Sequence, residues 1–147
     1  MTIEPQRMAA LYAAWVVALA ATLGALFIGE VLGQAPCVLC WYQRIAMFPL
    51  AVILAIACLR GDVGVWRYGL PLAVAGLLVA GWHSGLYLGL IPEPIEPCSR
   101  TGPSCTDAAM TIGGLVPLPV LSLLAFTLIA AGLIWAGRAP TMTETRP

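Results

Sequence analysis

The sequence has no lysine and a single histidine, and Asp, Glu and Arg together make up only 10% of it. With hydrophobic residues at 61%, that scarcity excludes an ordinary water-facing surface. Seven arginines balance seven acidic residues, so the chain carries no net charge. No nucleic-acid partner is expected. There is no internal repeat and no low-complexity tract, and residues 1–147 amount to one domain.

The few charges are clustered. None lies between Arg7 and Glu30, or in Ile45–Leu59, Tyr68–Pro92 or Ala108–Gly137. A helix needs about 20 apolar residues to cross a bilayer core. The first, third and fourth stretches reach that length alone, and the second reaches it by starting near Cys37. The reading is an all-α membrane protein, a bundle of four transmembrane helices at roughly 9–29, 38–59, 69–91 and 114–136. The N-terminal apolar run is too long for a signal-peptide core and has no clear cleavage site after it. With four spans, Arg7, Arg60, Arg67, Arg138 and Arg146 fall on one side of the membrane. Arg44 and Arg100 fall toward the other, with Glu30, Glu93, Glu96 and Asp107. The positive-inside rule makes the Arg-rich side cytoplasmic, with both termini inside.

Prolines and glycines punctuate this plan. Pro36 suits the first turn of the second helix. Pro49 falls mid-span, and Pro117 and Pro119 mark the start of the fourth helix. Gly81, Gly85 and Gly89 form a small-xxx-small ridge that predicts a helix-packing seam. The segment 92–113 holds Pro92, Pro94, Pro97 and Pro103, which favour extended backbone. Loops this long in small proteins are usually functional or disordered.

Five cysteines remain: Cys37, Cys40, Cys58, Cys98 and Cys105. All but Cys58 fall on the outer, oxidising face, where disulfides persist. Three pairings of the four are possible, the simplest being Cys37–Cys40 and Cys98–Cys105. Cys58 lies eighteen residues past Cys40, roughly 27 Å along a helix. That places it across the bilayer, as a small buried apolar residue. Cys37 and Cys40 form a CxxC at a helix N-terminus, where free N–H groups and the helix dipole favour a thiolate. Arg44 continues the same stripe, able to stabilise a Cys40 thiolate and to hold a carbonyl-bearing ligand. A structural disulfide with Arg44 as an interface anchor is the alternative, but an intramembrane arginine argues for function. Cys98 and Cys105 enclose six residues, and a bond between them is either a labile redox disulfide or a loop staple. His83, in the outer half of the third helix, is a packing group or a ligand and proton-relay candidate. A zinc site is not expected from these spacings.

The run Cys37-Val-Leu-Cys40-Trp-Tyr-Gln-Arg44, the four spans and the second outer cysteine pair resemble the DsbB disulfide bond formation family, in its short-loop DsbB/BdbC-like branch. The match is most specific over Cys37–Arg44 and moderate from Trp82 through Cys98. The resemblance implies a thiol:quinone oxidoreductase in the bacterial inner membrane, with its redox loops periplasmic. It would reoxidise a DsbA-like thioredoxin-fold partner and pass electrons to ubiquinone or menaquinone. By position, Cys40 is the quinone-side thiol and Cys37 its mate, while Arg44 and His83 flank the quinone. Cys98 is the site of mixed-disulfide formation, and Cys105 its resolving thiol. Two features depart from the family pattern. The second loop is short, and the segment His83-Ser-Gly-Leu-Tyr87 lacks the glutamine common after the family histidine. Two rivals are a vitamin K epoxide reductase-like enzyme, whose cysteine pairs come in the opposite order, and a membrane scaffold with structural disulfides.

Overall fold

The computed structural model describes residues 5–92, 111–112 and 116–138. Cys98 and Cys105, with the rest of the proline-rich loop, lie outside the described residues. Among the described residues, four long helices dominate. Helix α1 spans Pro5–Leu26 and continues as one π turn over Phe27–Val31. Helix α2 spans Val38–Arg60, α3 Trp66–Tyr87 and α4 Leu118–Gly137. A 3₁₀ turn, Val63–Val65, joins α2 to α3. Thr111–Ile112 and Val116–Pro117 form a short antiparallel pair just before α4. The four helices, with their flanking turns, are long and apolar enough to cross a membrane.

The bundle closes as a square: α1 packs on α2, α2 on α3, α3 on α4, and α4 back on α1. Arg7 Nε donates to Ala136 O at 2.8 Å, tying the start of α1 to the end of α4. Tyr12 Oη donates to Cys58 O at 3.4 Å, tying the same end of α1 to the end of α2. One end of the bundle therefore gathers Arg7, Arg60, Arg67 and Arg138. The CxxC lies at the other.

Helices that are apolar all round have no hydrophobic drive to associate in lipid, so close van der Waals fit must hold them. The core supplies it with Leu11, Ala14, Leu50, Leu54, Phe126, Ile129 and Leu133, all almost fully buried. Phe126 on α4 seats its ring directly on Gly76 of α3. Gly132 on α4 lies against Ala14 and the Ala10 carbonyl of α1. The outward faces carry Leu23, Val52, Leu59 and Leu78, as expected of surfaces that meet acyl chains.

Three sequence expectations need correction. The apolar run at 69–91 outlasts its helix, because Gly89 takes a left-handed φ of 69°. Leu90 N–H then reaches back to Gly85 O at 2.9 Å, and α3 ends at Tyr87. The ridge Gly81–Gly85–Gly89 meets another helix only at Gly81, which lies against Leu123 of α4: Gly85 is covered by Ile91 of its own chain turn, and Gly89 has open space around it. The close approaches use Gly76 and Gly132 instead. Pro36 lies one residue before the N-cap, Cys37, rather than in the first helical turn.

Adding a methyl group at Gly76 forces it into the Phe126 ring, and overpacking of this kind costs about 1–3 kcal/mol. Gly76→Ala is expected to lower the thermal unfolding temperature of the detergent-solubilised protein. Gly24→Ala, where nothing lies within 4 Å, is expected to leave it unchanged or slightly raised.

Candidate functional site

Cys37 is the N-cap of α2, with extended backbone at φ −70° and ψ 170°. Its sulfur does the work of an N-cap oxygen, accepting the Cys40 N–H at 3.3 Å. That geometry turns the two sulfurs toward each other, 3.0 Å apart, with Cys37 only 1% exposed. The imidazole of His83, on α3, closes over the same sulfur: Nε2 lies 3.8 Å from Cys37 Sγ. Its other nitrogen, Nδ1, lies 2.9 Å from Gln43 Nε2. Gln43 is held in turn by Ser122 of α4, whose hydroxyl donates to Gln43 Oε1. With the amide in this orientation, Gln43 donates to Nδ1, and the neutral ring carries its proton on Nε2, facing Cys37. A polar chain thus runs Cys37–His83–Gln43–Ser122 across three helices, and His83 and Gln43 are both buried.

Arg44 sits one position further along α2. Its guanidinium stands 5.4 Å above the Trp41 ring and donates through Nη2 to Ala25 O of α1 at 2.8 Å. Ala25 lies just before the π turn. A π turn shifts the carbonyl ladder by one residue, freeing a carbonyl near the junction for an outside donor. The guanidinium also packs against Gly29 within that turn, where a Cβ would stand 3.0 Å from Nη2. Arg44 is therefore locked to α1 by two of its contacts, while its planar fork keeps further N–H groups available.

Beside these groups is a cavity of about 410 Å³ between α1, α2 and α4. Its polar lining is Cys40, Gln43, Arg44, His83 and Ser122, and the remainder is apolar or glycine. Leu121, Leu124 and Leu128 line it too, at 44%, 53% and 48% exposure, so it opens sideways at the bundle's lipid-facing surface. Cys40 faces this cavity, whereas Cys37 is packed behind it against His83.

The structure brings Cys37, Cys40, Arg44 and His83 close together. Cys58 is separated from them, buried in the core at the opposite end of α2. Gln43 and Ser122 were not singled out in the sequence. Gln43 had a signal, since a polar side chain within a span calls for a partner. Ser122 had none, because a serine on an apolar helix is often back-bonded to its own turn.

A membrane-embedded dithiol with a histidine at one sulfur and a lipid-facing cavity at the other defines a class: an integral membrane thiol–disulfide oxidoreductase. The comparisons agree with that class. The family profile described as "Disulfide bond formation protein DsbB" matches residues 6–136. A probable disulfide formation protein of Metapseudomonas resinovorans is 64% identical over 86% of this chain and 88% of its own. A protein of the same name from Deinococcus radiodurans is 43% identical over 92% and 93%. Disulfide bond formation protein C of Bacillus subtilis is 44% identical over 84% and 88%. No solved structure gives a significant match. The chain belongs to the DsbB family of disulfide bond formation proteins, as a multi-pass membrane oxidoreductase.

Proposed function

We propose that this protein is a thiol:quinone oxidoreductase that reoxidises a DsbA-like thioredoxin-fold protein at the outer face of the bacterial inner membrane. Electrons pass from the partner's dithiol to Cys98–Cys105, then to Cys37–Cys40, then to a membrane quinone, ubiquinone or menaquinone. The observation that carries this reading is that Cys40, Arg44 and His83 line one apolar cavity open to the lipid side. The donor set fits a quinone. A flat ring with two carbonyls needs cationic or N–H donors near its oxygens, an apolar enclosure for its ring and a side exit for an isoprenoid tail. Arg44 and the second N–H of the Gln43 amide offer the first, and the leucines and alanines of α1 and α4 offer the second and third.

When bound, the quinone supplies a two-electron, two-proton acceptor. The chain's own residues do the rest. Each disulfide exchange runs through a mixed disulfide, with a thiolate attacking one sulfur and a thiol leaving. The sulfurs of Cys37 and Cys40 stand 3.0 Å apart and need only close to about 2.05 Å to join. Joining them releases two electrons and two protons. His83 points its Nε2–H at the Cys37 sulfur and donates to it as negative charge develops there, and Gln43 and Ser122 fix the ring that does so. Arg44 holds a positive charge beside the cavity without needing to reorganise, because Ala25 O and Trp41 already fix its position. Orientation follows from the arginines: the end gathering Arg7, Arg60, Arg67 and Arg138 is cytoplasmic, so the CxxC end is periplasmic.

Two experiments test this reading. In Cys105→Ser, the resolving thiol is gone, and a covalent complex with a thioredoxin-fold partner linked through Cys98 is expected. Mass spectrometry of the linked peptides checks it, and a link through Cys37 instead would overturn the two-pair relay. Arg44→Ala is expected to raise the quinone concentration needed for half-maximal turnover about tenfold or more, the scale of a lost charge-assisted hydrogen bond. Its CxxC disulfide should still form. An unchanged quinone requirement would reduce Arg44 to a helix tie.

A further inference from the structure

The sequence spacings argue against a metal site built from two cysteine pairs. The fold assembles a different set. Cys37 Sγ, Cys40 Sγ and His83 Nε2 lie within 4.8 Å of one another, at the buried end of α2. We propose that the reduced protein binds a thiophilic divalent cation, Zn²⁺ in the first instance, through Cys37, Cys40 and His83. The inference goes beyond the redox reaction and does not depend on which acceptor takes the electrons.

The geometry is close to what such an ion requires. With Zn–S near 2.3 Å and Zn–N near 2.0–2.1 Å, two ligands on one ion stand roughly 3.5–3.8 Å apart. Cys37 Sγ and His83 Nε2 are already 3.8 Å apart. The two sulfurs, at 3.0 Å, would have to open by somewhat under 1 Å, a small change in a cysteine χ1. Cys40 borders the cavity, so a fourth position is left open toward it for water, the arrangement of three-ligand Cys₂His zinc sites.

The surroundings of the histidine are those of a metal ligand. Such a histidine bonds through its second nitrogen to an outer partner that fixes ring and tautomer. Here Nδ1 meets the Gln43 amide, and Ser122 anchors that amide. With the ion on Nε2, Nδ1 carries the proton and donates it to Gln43 Oε1 once the amide turns over. The Ser122 hydroxyl then accepts from Gln43 Nε2, since a hydroxyl serves in either role.

Charge favours a divalent ion over a monovalent one. Two thiolates, a neutral imidazole and M²⁺ sum to zero, and a neutral assembly is the one that burial tolerates. Binding releases the two thiol protons and moves no electrons. The disulfide form offers no thiolates, so the site exists only in the reduced protein. A bound ion therefore holds the dithiol reduced and competes with closure of the Cys37–Cys40 bond.

The test uses the full-length protein in detergent, reduced with a phosphine that is then removed, and titrated with Co²⁺ as a spectroscopic probe. One equivalent is expected to bind, with sulfur-to-cobalt charge-transfer and tetrahedral d–d bands, and Zn²⁺ should abolish both. The bands should be absent from the oxidised protein and from Cys37→Ser/Cys40→Ser. They should persist in Cys98→Ser/Cys105→Ser. His83→Ala is expected to weaken Co²⁺ binding by about tenfold or more, and Gln43→Ala by about tenfold through the outer partner. Because His83→Ala also leaves a hole in the bundle, added imidazole provides the check: in His83→Ala it should restore tight binding by filling the hole with the missing nitrogen ligand. No cobalt bands in the reduced protein would overturn the proposal. So would bands that survive Cys37→Ser/Cys40→Ser or that vanish in Cys98→Ser/Cys105→Ser. Quinone reduction, measured separately in a chelating buffer, reports on the redox reading alone.

Discussion

The sulfur of Cys37 caps α2 and touches the His83 ring of α3, and the placement of every other group at the site follows from that double contact. As a cap, it accepts the Cys40 N–H and so faces the second sulfur. As a neighbour of His83, it sets the ring whose far nitrogen engages Gln43, and through Gln43 the Ser122 hydroxyl of α4. One turn later, α2 presents Arg44 to the π turn of α1. The helix N-terminus is thus connected to all three other helices by polar contacts within two turns. In lipid, where apolar packing alone gives helices little reason to choose one register, such contacts fix the rotation of α2.

The site divides its chemistry between two sulfurs that occupy different surroundings. Cys37 is packed among protein groups, its sulfur accepting the Cys40 N–H and facing the His83 ring. Cys40 borders an apolar space that opens to the membrane. A dithiol arranged this way has a protein side and a lipid side. Sulfur chemistry can enter from one and leave from the other without the two reaction partners meeting. The π turn in α1 belongs to the same division. It frees the carbonyl that receives Arg44 and supplies Gly29, whose missing side chain makes room for the guanidinium.

Much of this was legible in the sequence, and the rest was not for identifiable reasons. Charge-free stretches gave four spans, because burying an ion in lipid is costly enough to leave a clear mark on composition. The CxxC and Arg44 were legible from helical spacing alone, and the resemblance named the family. The end of α3 was misjudged because hydropathy does not distinguish Leu88–Ile91 in a helix from the same residues folded back around a left-handed Gly89. The glycine ridge misled at Gly85 and Gly89 for the same reason: spacing identifies a face but not what covers it. Gly76 and Gly132 carry the close contacts because Phe126 and Ala14 happen to lie opposite them. Gln43 and Ser122 depend on the pairing of α2, α3 and α4, which no local pattern encodes. The Cys37–Cys40–His83 cluster is likewise a product of that pairing.

The central claim is that the Cys37–Cys40 dithiol delivers its electrons into the cavity between α1, α2 and α4. Ala21 lines that cavity on α1, while Leu78 on α3 faces outward at 70% exposure. The most direct measurement is the single-turnover rate at which prereduced protein reduces a short-chain quinone, compared between Ala21→Phe and Leu78→Phe. The account expects a severe loss for Ala21→Phe, an unchanged rate for Leu78→Phe, and normal reduction of the CxxC disulfide by a small dithiol in both. An Ala21→Phe variant that is folded and reduces quinone at the wild-type rate would contradict it.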